Sequence, residues 1–441
     1  MALEATGSDE YFVVASMEES LEQLHQLDTI LASDSREIKR VVFETTHWLP
    51  QTMKCLEGIL HRYSFDSVQF RMMYDEQEVP TLGKTNRLEL FYCPLLPFLP
   101  AMESSNHLVE LVVSSSLSVL AMTLFSEFLS SSSCRLSRLD FTGSRFLGDA
   151  ATSLAEGFRN HRGSLRTICL SECNLVDEQI SALVDGMVAC ASDHPDTFDL
   201  QELDLSFNKS RHRSAASLAL LLQKSKVRKL SLGFQAFGEA QQIDLAQMME
   251  ATAITRYLNH LEIGGNNLRD PDMHLLVEAL IRSESLEILD ISGNRFTNDG
   301  ISLLANNFRS ISNLKQLLME DIRDIDDRCV QVLAHALELS GNHKLHTIEL
   351  DENLQLNHAW NLLTFYLDLN WGGTWELLPK WSRPHKSKAS SHPIPLSVWP
   401  LILNRVNFPM RYGMTSRVPH SPNILYHLIR EGLLMIILGQ R

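Results

Sequence analysis

The chain has 441 residues, 44% of them hydrophobic and 21% charged, and its formal net charge is −15. This length and apolar content allow two or three globular domains or one long array of repeats, and they exclude a disordered tail. The acidic balance argues against nucleic acid as a partner.

No targeting or membrane segment is expected. The N-terminal sequence MALEATGSDEYFVV is acidic and lacks the basic start and apolar run of a signal peptide. The longest apolar run, Leu433–Leu438, is too short to cross a bilayer. The seven cysteines are an odd number without regular spacing, which favours a reducing compartment. We therefore expect an intracellular location, in the cytoplasm or the nucleus, and no contact with a membrane.

The first predicted element is a helix within residues 16–33. Leu21, Leu24, Leu27 and Leu31 recur there at helical spacing among acidic and amide residues. An array of repeats needs a polar cover at each end, and this helix has the composition for it. Residues 1–35 are therefore predicted to form an N-terminal tail and a capping helix.

Residues 36–135 carry weak copies of a strand pattern. In this pattern an anchor residue is followed by apolar residues three and five positions later. The weak copies begin at Ile38, Phe65, Thr85 and Leu108. They lack the full helical pattern, and serine-rich tracts at residues 114–116 and 130–133 indicate loops between degenerate repeats.

Residues 136–370 repeat a longer pattern, shown by Leu286–Phe308. There the strand pattern leads to an asparagine at offset 8 and to apolar residues at offsets 10, 15, 18 and 22, which predict a helix capped by Asn298 or Asp299. The anchors are Leu136, Leu165, Leu200, Val227, Leu258, Leu286, Leu314 and Leu345, spaced 29, 35, 27, 31, 28, 28 and 31 residues apart. One such unit cannot bury its own apolar edges, so about twelve repeats are expected to stack.

The pattern LxxLxLxx(N/C)xL followed by a helix resembles the ribonuclease-inhibitor type of leucine-rich repeat over residues 38–369. The resemblance implies an α/β solenoid shaped as a horseshoe, with parallel strands on the concave face and helices on the convex face. It also implies a ladder of side chains that satisfies the turns between strands: Cys93, Cys173, Asn208, Asn266, Asn294 and Asn353. Ser144, Gln235 and Ile322 depart from the pattern at offset 8, where an interrupted ladder is expected.

The composition changes in residues 371–441. From Trp371 onward there are nine Lys and Arg against two Asp and Glu. A loop rich in Pro, Ser, Lys and Trp precedes two short apolar helices, Leu396–Val406 and Pro422–Gly432. The block resembles the C-terminal block of leucine-rich repeat proteins from unicellular algae, and we predict a basic loop and a C-terminal helical cap.

Motifs for catalysis, metals or cofactors are absent. Gly83–Thr85 lacks the first glycine of a phosphate loop and precedes a strand. Cys169 and Cys173 fall on the strand and in the turn ladder, which gives no tetrahedral metal set, and His343 and His346 have no further ligands in sequence. We expect no catalytic residue, no metal ion and no cofactor, and therefore no enzyme.

Acidic and aromatic residues recur on the face of the strands that points away from the predicted core. Side chains alternate along a strand, so offsets 2, 4 and 6 lie on this face, which we call the open face. The candidate partner-binding residues at these and adjacent offsets are Glu89, Asp140, Glu202, Asp204, Phe207, Phe234, Glu262, Asp290, Glu320, Glu349 and Asp351. Glu262 and Asp290 are expected to be direct neighbours.

Three interpretations of this acidic face remain open at the level of sequence. The acids can serve solubility alone, or they can bind a basic protein or peptide with the aromatic residues as anchors. The basic segment Lys380–Lys388 can also fold back onto them. The predicted function is a non-catalytic scaffold for protein–protein interaction.

The alternative is activation of a small GTPase, which one branch of this repeat type performs. Those relatives carry an acidic C-terminal tail, whereas this chain ends basic. A leucine-rich immune-type receptor is not expected, since no nucleotide-binding domain precedes the repeats.

Overall fold

The protein, described from a computed structural model, consists of two compact units, Met1–Leu258 and Asn259–Arg441. The structure describes residues 4–5, 10–14, 20–33, 40–44, 50–71, 79–163, 165–210, 212–234, 242–356 and 358–371. The expected C-terminal cap and basic loop, and Gln235, lie outside these residues.

The first unit alternates strands with helices. Its strands are β1 (Glu4–Ala5), β2 (Glu10–Val14), β3 (Arg40–Glu44), β4 (Ser64–Arg71), β5 (Lys84–Phe91), β6 (Glu110–Ser114), β7 (Ser116–Leu117), β8 (Arg138–Asp140), β9 (Arg145–Phe146), β10 (Thr167–Cys169), β11 (Glu202–Asp204) and β12 (Lys229–Ser231). Its helices are α1 (Ser20–Ser33), α2 (Pro50–Arg62), α3 (Leu99–Ser104), α4 (Val119–Ser130), α5 (Ala150–Asn160), α6 (Asp177–Asp193), α7 (His212–Lys224) and α8 (Gln242–Ile254).

The second unit continues the alternation. Its strands are β13 (His260–Glu262), β14 (Ile288–Asp290), β15 (Gln316–Leu318) and β16 (Thr347–Glu349), and its helices are α9 (Asp270–Arg282), α10 (Asn298–Asn306), α11 (Asp327–Ser340) and α12 (His358–Trp371). The four strands pair in parallel in sequence order. Each parallel pair is joined by a crossover through a helix, as parallel pairing requires.

The register of the first unit aligns the predicted core positions in one row. From β3 to β12, through β4, β5, β6, β8, β10 and β11, neighbouring strands pair in parallel. The aligned row consists of Val41, Val68, Leu88, Leu111, Leu139, Ile168, Leu203 and Leu230, all buried. Burying one apolar row from strand to strand is what stabilises a stack of repeats that cannot fold singly.

The helices bury the residues that the pattern predicts. In the repeat at Leu286, the residues Phe296, Ile301, Leu304 and Phe308 are fully buried. The equivalent positions of the repeats at Leu136, Leu165 and Leu258 are buried as well. The α/β leucine-rich repeat fold predicted from the sequence is therefore confirmed, with a strand at each of the twelve predicted anchors.

Several local predictions differ from the structure. Strand β2 precedes α1 and pairs in parallel with β3, so α1 connects two neighbouring strands as the later helices do. Full helices α2 and α4 lie in the region where only degenerate strands were expected. The cap of α10 is Thr297, whose hydroxyl accepts from the Asp299 N–H at 3.2 Å, and Asn298 and Asp299 are the first helical residues.

Candidate functional site

The turns that follow the strands are connected by buried side chains. Asn208 Nδ2 donates to the carbonyls of Leu170 and Leu205, both at 2.8 Å, and its Oδ1 accepts from the Leu175 N–H at 3.0 Å. Asn208 therefore binds its own turn and the turn of the preceding repeat, which fixes the spacing of the two strands.

The second unit repeats this arrangement. Asn294 Oδ1 accepts from the N–H groups of Asn266 and Leu268, at 2.9 and 3.1 Å, and its Nδ2 donates to the carbonyls of Ile263 and Ile291. Asn266 Nδ2 donates to the Ile263 carbonyl at 2.9 Å.

In the first unit, cysteine and serine also occur at offset 8, the position that asparagine holds in the ladder. The Cys173 thiol donates to the Phe141 carbonyl at 3.0 Å, and Cys93 donates to the Phe91 carbonyl at 3.3 Å. Burial raises the pKa of the Cys173 thiol to about 12, so it stays protonated. Ser144 donates to the Val113 carbonyl at 2.7 Å and accepts from the Ser115 N–H, so the interruption expected at Ser144 was wrong.

Ile322 and Asn353, also at offset 8, do not form the ladder contacts described above. Ile322 carries no polar side-chain atom and is buried. Asn353 is exposed in the short 3-10 helix Glu352–Leu356, where its Oδ1 accepts from the Leu354 N–H. In its place, Gln355 Nε2 donates to the Leu350 carbonyl at 2.6 Å.

Aspartates at offset 4 of the open face organise the turns. Asp140, Asp204 and Asp290 accept, through Oδ1, from the N–H two residues further on, at 3.0, 2.9 and 2.8 Å. This is an Asx-turn, which the short aspartate side chain forms well. Part of the recurrence of acids at this offset therefore has a structural cause, while the second carboxylate oxygen leaves each charge on the open face.

Arginines compensate the acids at the start of the open face. Glu89 is only 4% exposed, and its carboxylate is bound by Arg40 at 3.0 Å, by Arg87 at 2.9 Å and by Ser67 at 2.9 Å. Asp140 pairs with Arg138 at 3.0 Å. Because the charge of Glu89 is buried and neutralised, Glu89 cannot attract a partner, and Asp140 contributes little.

The acids of β11 and its turn are less compensated. Glu202 is exposed and lies opposite Lys229 in the register of β11 and β12, which offsets part of its charge. Asp204 lies opposite Cys169 and Ser231. Burial raises the pKa of the Cys169 thiol to about 12, so this cysteine on the open face is a poor nucleophile.

The acids of the second unit form a denser group. Glu262 and Asp290 are direct neighbours in the register of β13 and β14, and Glu262 also contacts His260 at 2.9 Å. Glu320, Glu349 and Asp351 follow on and beyond β15 and β16. Partial burial, and then the charges of Glu349, Asp351, Asp321 and Asp290, raise the pKa of Glu320. Burial is the larger cause, and the four neighbouring carboxylates act in the same direction.

Phe207 and Phe234 form an exposed aromatic stack in the first unit. Their ring centroids are 4.3 Å apart and the planes are 12° from parallel, while the two residues remain 48% and 55% exposed. Both have a left-handed backbone, with φ of 57° and 58°. Left-handed φ is uncommon for a bulky side chain.

The left-handed conformation recurs at offset 7 of successive repeats, and sequence reasoning missed it. Glycine takes this position at Gly143, Gly265 and Gly293, with φ between 66° and 74°. Other residues adopt it at Tyr92, Glu172, Phe207, Phe234 and Asp321, with φ between 54° and 58°. The recurring glycines were a signal in the sequence, because glycine marks positions that need positive φ.

In the described part of the chain, no group of three or more His, Cys, Asp or Glu is placed to hold a metal ion. No described helix has the length and apolar character needed to cross a bilayer. The seven cysteines are all free.

Comparison with known proteins supports the fold. The chain is 28% identical over 219 residues to the human NACHT, LRR and PYD domains-containing protein 13, which covers 49% of this chain and 20% of that protein. The match spans a fifth of the relative, so its other named domains carry nothing over to this chain. No protein-family model matches the chain.

Two solved structures resemble part of the chain. They are the leiomodin-1 actin-binding site 2, at 13% identity over 36% of this chain and 90% of that one, and the tropomodulin C-terminal domain of Caenorhabditis elegans, at 13% identity over 37% and 96%. Both have a TM-score of 0.32, too low to carry an argument about function. The repeats, the alternation of strands and helices and the human relative agree on a leucine-rich repeat type of protein.

Proposed function

We propose that this chain is a non-catalytic scaffold that binds a basic protein or peptide through the acidic open face of its sheet. The observation that carries the proposal is the distribution of charge. Arginines neutralise Glu89 and Asp140, whereas Asp290, Glu320, Glu349 and Asp351 have no basic partner among the described residues.

Solubility alone does not explain this distribution. Partial burial, and after it the like charges of the neighbouring carboxylates, raise the pKa of Glu320, so its ionised form carries a cost in stability in the folded chain. A surface that only needs to be polar avoids this cost by interspersing charges of both signs, as the arginines on β3, β5 and β8 do. A basic partner would relieve the repulsion, so binding and stability would be coupled.

The test is affinity capture with the full chain and a neutralised variant. The variant carries Asp290→Asn, Glu320→Gln and Glu349→Gln, which are three of the four acids without a basic partner among the described residues, all in the second unit. Asparagine at position 290 keeps the oxygen that accepts the Ser292 N–H, so this turn should survive. We expect the variant to lose the partner that the unchanged chain captures.

A matched control removes the same charge elsewhere. Glu127→Gln, Glu278→Gln and Glu338→Gln change exposed carboxylates on α4, α9 and α11. This control should retain the partner. If the neutralised variant captured the partner as well as the control, the open face would be a solubilising surface and the proposal would fail.

Two alternatives from the sequence, an internal fold-back and GTPase activation, are not part of this proposal. Folding back of Lys380–Lys388 onto the acids concerns residues outside the described part of the chain and stays a prediction. Neither the site nor the comparisons contain an observation that favours GTPase activation, and we do not propose it.

A further inference from the structure

The Phe207–Phe234 stack lies in a row of residues that share one backbone conformation. Along the offset-7 positions of β10, β11 and β12 the row reads Glu172, Phe207, Phe234, with φ of 58°, 57° and 58°. The Glu172 N–H donates to the Ser206 carbonyl at 3.1 Å, and the Phe207 N–H donates to the Gly233 carbonyl at 2.9 Å. The three turns are therefore in register, and their side chains leave the backbone in similar directions.

Stacking on Phe234 leaves the second ring face of Phe207 on the side of the preceding repeat, which carries Glu172 at the same offset. One face of the Phe207 ring stacks on the Phe234 ring, with 4.3 Å between the two ring centroids. The next member of the row on the other side is Glu172, on a turn about 4.8 Å away. Glu172 is exposed and makes no ion pair among the described residues. Adjacent turns of the row thus carry an aromatic face and a carboxylate.

The stack has no evident role in folding. Both rings are about half exposed, whereas the core residues Leu203, Leu205 and Leu230 beside them are fully buried. The left-handed backbone is disfavoured for a residue with a Cβ atom, and three other repeats have glycine at this position. Tyr92, Glu172 and Asp321 share this backbone, so the exposed stack itself is what distinguishes Phe207 and Phe234.

We propose that this row binds an arginine side chain of the partner, with the guanidinium plane on the outer face of Phe207 and its charge held by Glu172. The inference rests on the proposed function, because it assumes a basic partner. Arginine fits better than lysine, since its planar group is weakly hydrated, stacks on aromatic faces and donates to a carboxylate in the same plane. Asp204, at the end of β11, adds negative charge near the same turn.

The test compares two probes of equal charge. Fluorescently labelled octa-arginine and octa-lysine are titrated with the full chain, and binding is followed by anisotropy at low salt. An exposed cation–π contact of about 0.5–1 kcal/mol corresponds to roughly a two- to five-fold preference for octa-arginine. We expect this preference in the unchanged chain.

Variants assign the preference to the row. Phe207→Asn with Phe234→Asn should abolish the preference for octa-arginine while leaving octa-lysine binding unchanged, and asparagine tolerates the left-handed backbone. Glu172→Gln should reduce the preference for octa-arginine as well. Tyr92→Asn is the matched control, because Tyr92 is 70% exposed with φ of 54° in a distant repeat, and the preference should persist.

The possible outcomes distinguish failure of the arginine site from failure of the proposed function. Equal binding of both peptides to the unchanged chain, or a preference that survives the phenylalanine changes, would overturn the arginine site and leave the proposed function standing. Absence of binding by either peptide at low salt would overturn the proposed function and the arginine site together.

Discussion

At the scale of single residues, Phe207 and Phe234 show how a repeat can vary without loss of the fold. Their position requires a left-handed backbone, which glycine adopts freely and a β-carbon disfavours. The sequence identified both phenylalanines as candidate anchors, but it did not reveal their strained backbone or their stacking. Those properties arise only when neighbouring repeats align, so no single repeat shows them.

The first prediction concerns stability at this position. Phe207→Asn should change the free energy of unfolding by less than about 1 kcal/mol, because relief of backbone strain offsets the lost ring contact. Leu205→Ala, two residues earlier in the fully buried core, should cost about 2–5 kcal/mol. Denaturant unfolding of the two variants measures both values. A large loss of unfolding free energy in the Phe207→Asn variant would show that the stack supports folding.

The second prediction concerns Glu320. Its pKa is raised above the ordinary value of 4.5, so the folded chain binds the proton more tightly than the unfolded chain. Ionised Glu320 therefore destabilises the fold as the pH rises from about its unfolded pKa through its folded pKa. Glu320→Gln should raise the melting temperature at neutral pH, and the gain should shrink in acid below that window. Thermal melts across pH give the test; a gain that does not depend on pH would refute the electrostatic cause.

At the scale of elements, the asparagine ladder is the device that holds one strand at a fixed distance from the next. Asn294 satisfies two buried N–H groups and two carbonyls in two repeats. The sequence predicted this role from the asparagine at offset 8. It missed the serine variant, in which the Ser144 hydroxyl binds a carbonyl and an N–H of the preceding repeat with a shorter side chain.

The third prediction follows from the ladder. Asn294→Ala should destabilise the protein by roughly 2–4 kcal/mol, since it leaves the buried N–H groups of Asn266 and Leu268 without an acceptor. Asn353→Ala is the control and should have little effect, because Asn353 is exposed and bonds only locally. Equal losses in the two variants, measured by denaturant unfolding, would contradict this account.

Helices of neighbouring repeats are also connected by capping acids. Asp177, in the first turn of α6, accepts from the Arg213 N–H at 2.8 Å and the Ser214 N–H at 3.1 Å, which belong to the first turn of α7. Asp270 in α9 accepts from the Thr297 N–H at 2.8 Å, just before α10. Sequence reasoning placed caps within each repeat and missed those supplied by the preceding one, because the sequence does not show which helices are adjacent.

At the scale of the whole molecule, the repeat period was sufficient to predict the fold but not the distribution of charge on the surface. Apolar residues at fixed offsets are dictated by burial, so twelve strand anchors and the helix cores of the regular repeats could be predicted. Charges on the open face follow no such rule. Arg87 lies two residues before Glu89 on β5, whereas Arg40 lies on β3, and only strand pairing brings Arg40 to Glu89.

The proposed function therefore depends on whether the acids of the open face that no arginine neutralises bind a partner. The most direct measurement is the dissociation constant of the captured and purified partner with the full chain, at about 50 mM and about 500 mM salt. Exposed charges are screened over about 10 Å at 0.1 M salt and over less at higher salt. We predict that the higher salt weakens binding at least about tenfold and that the neutralised variant loses most of this salt dependence. A dissociation constant that is the same at both salt concentrations would contradict the central claim.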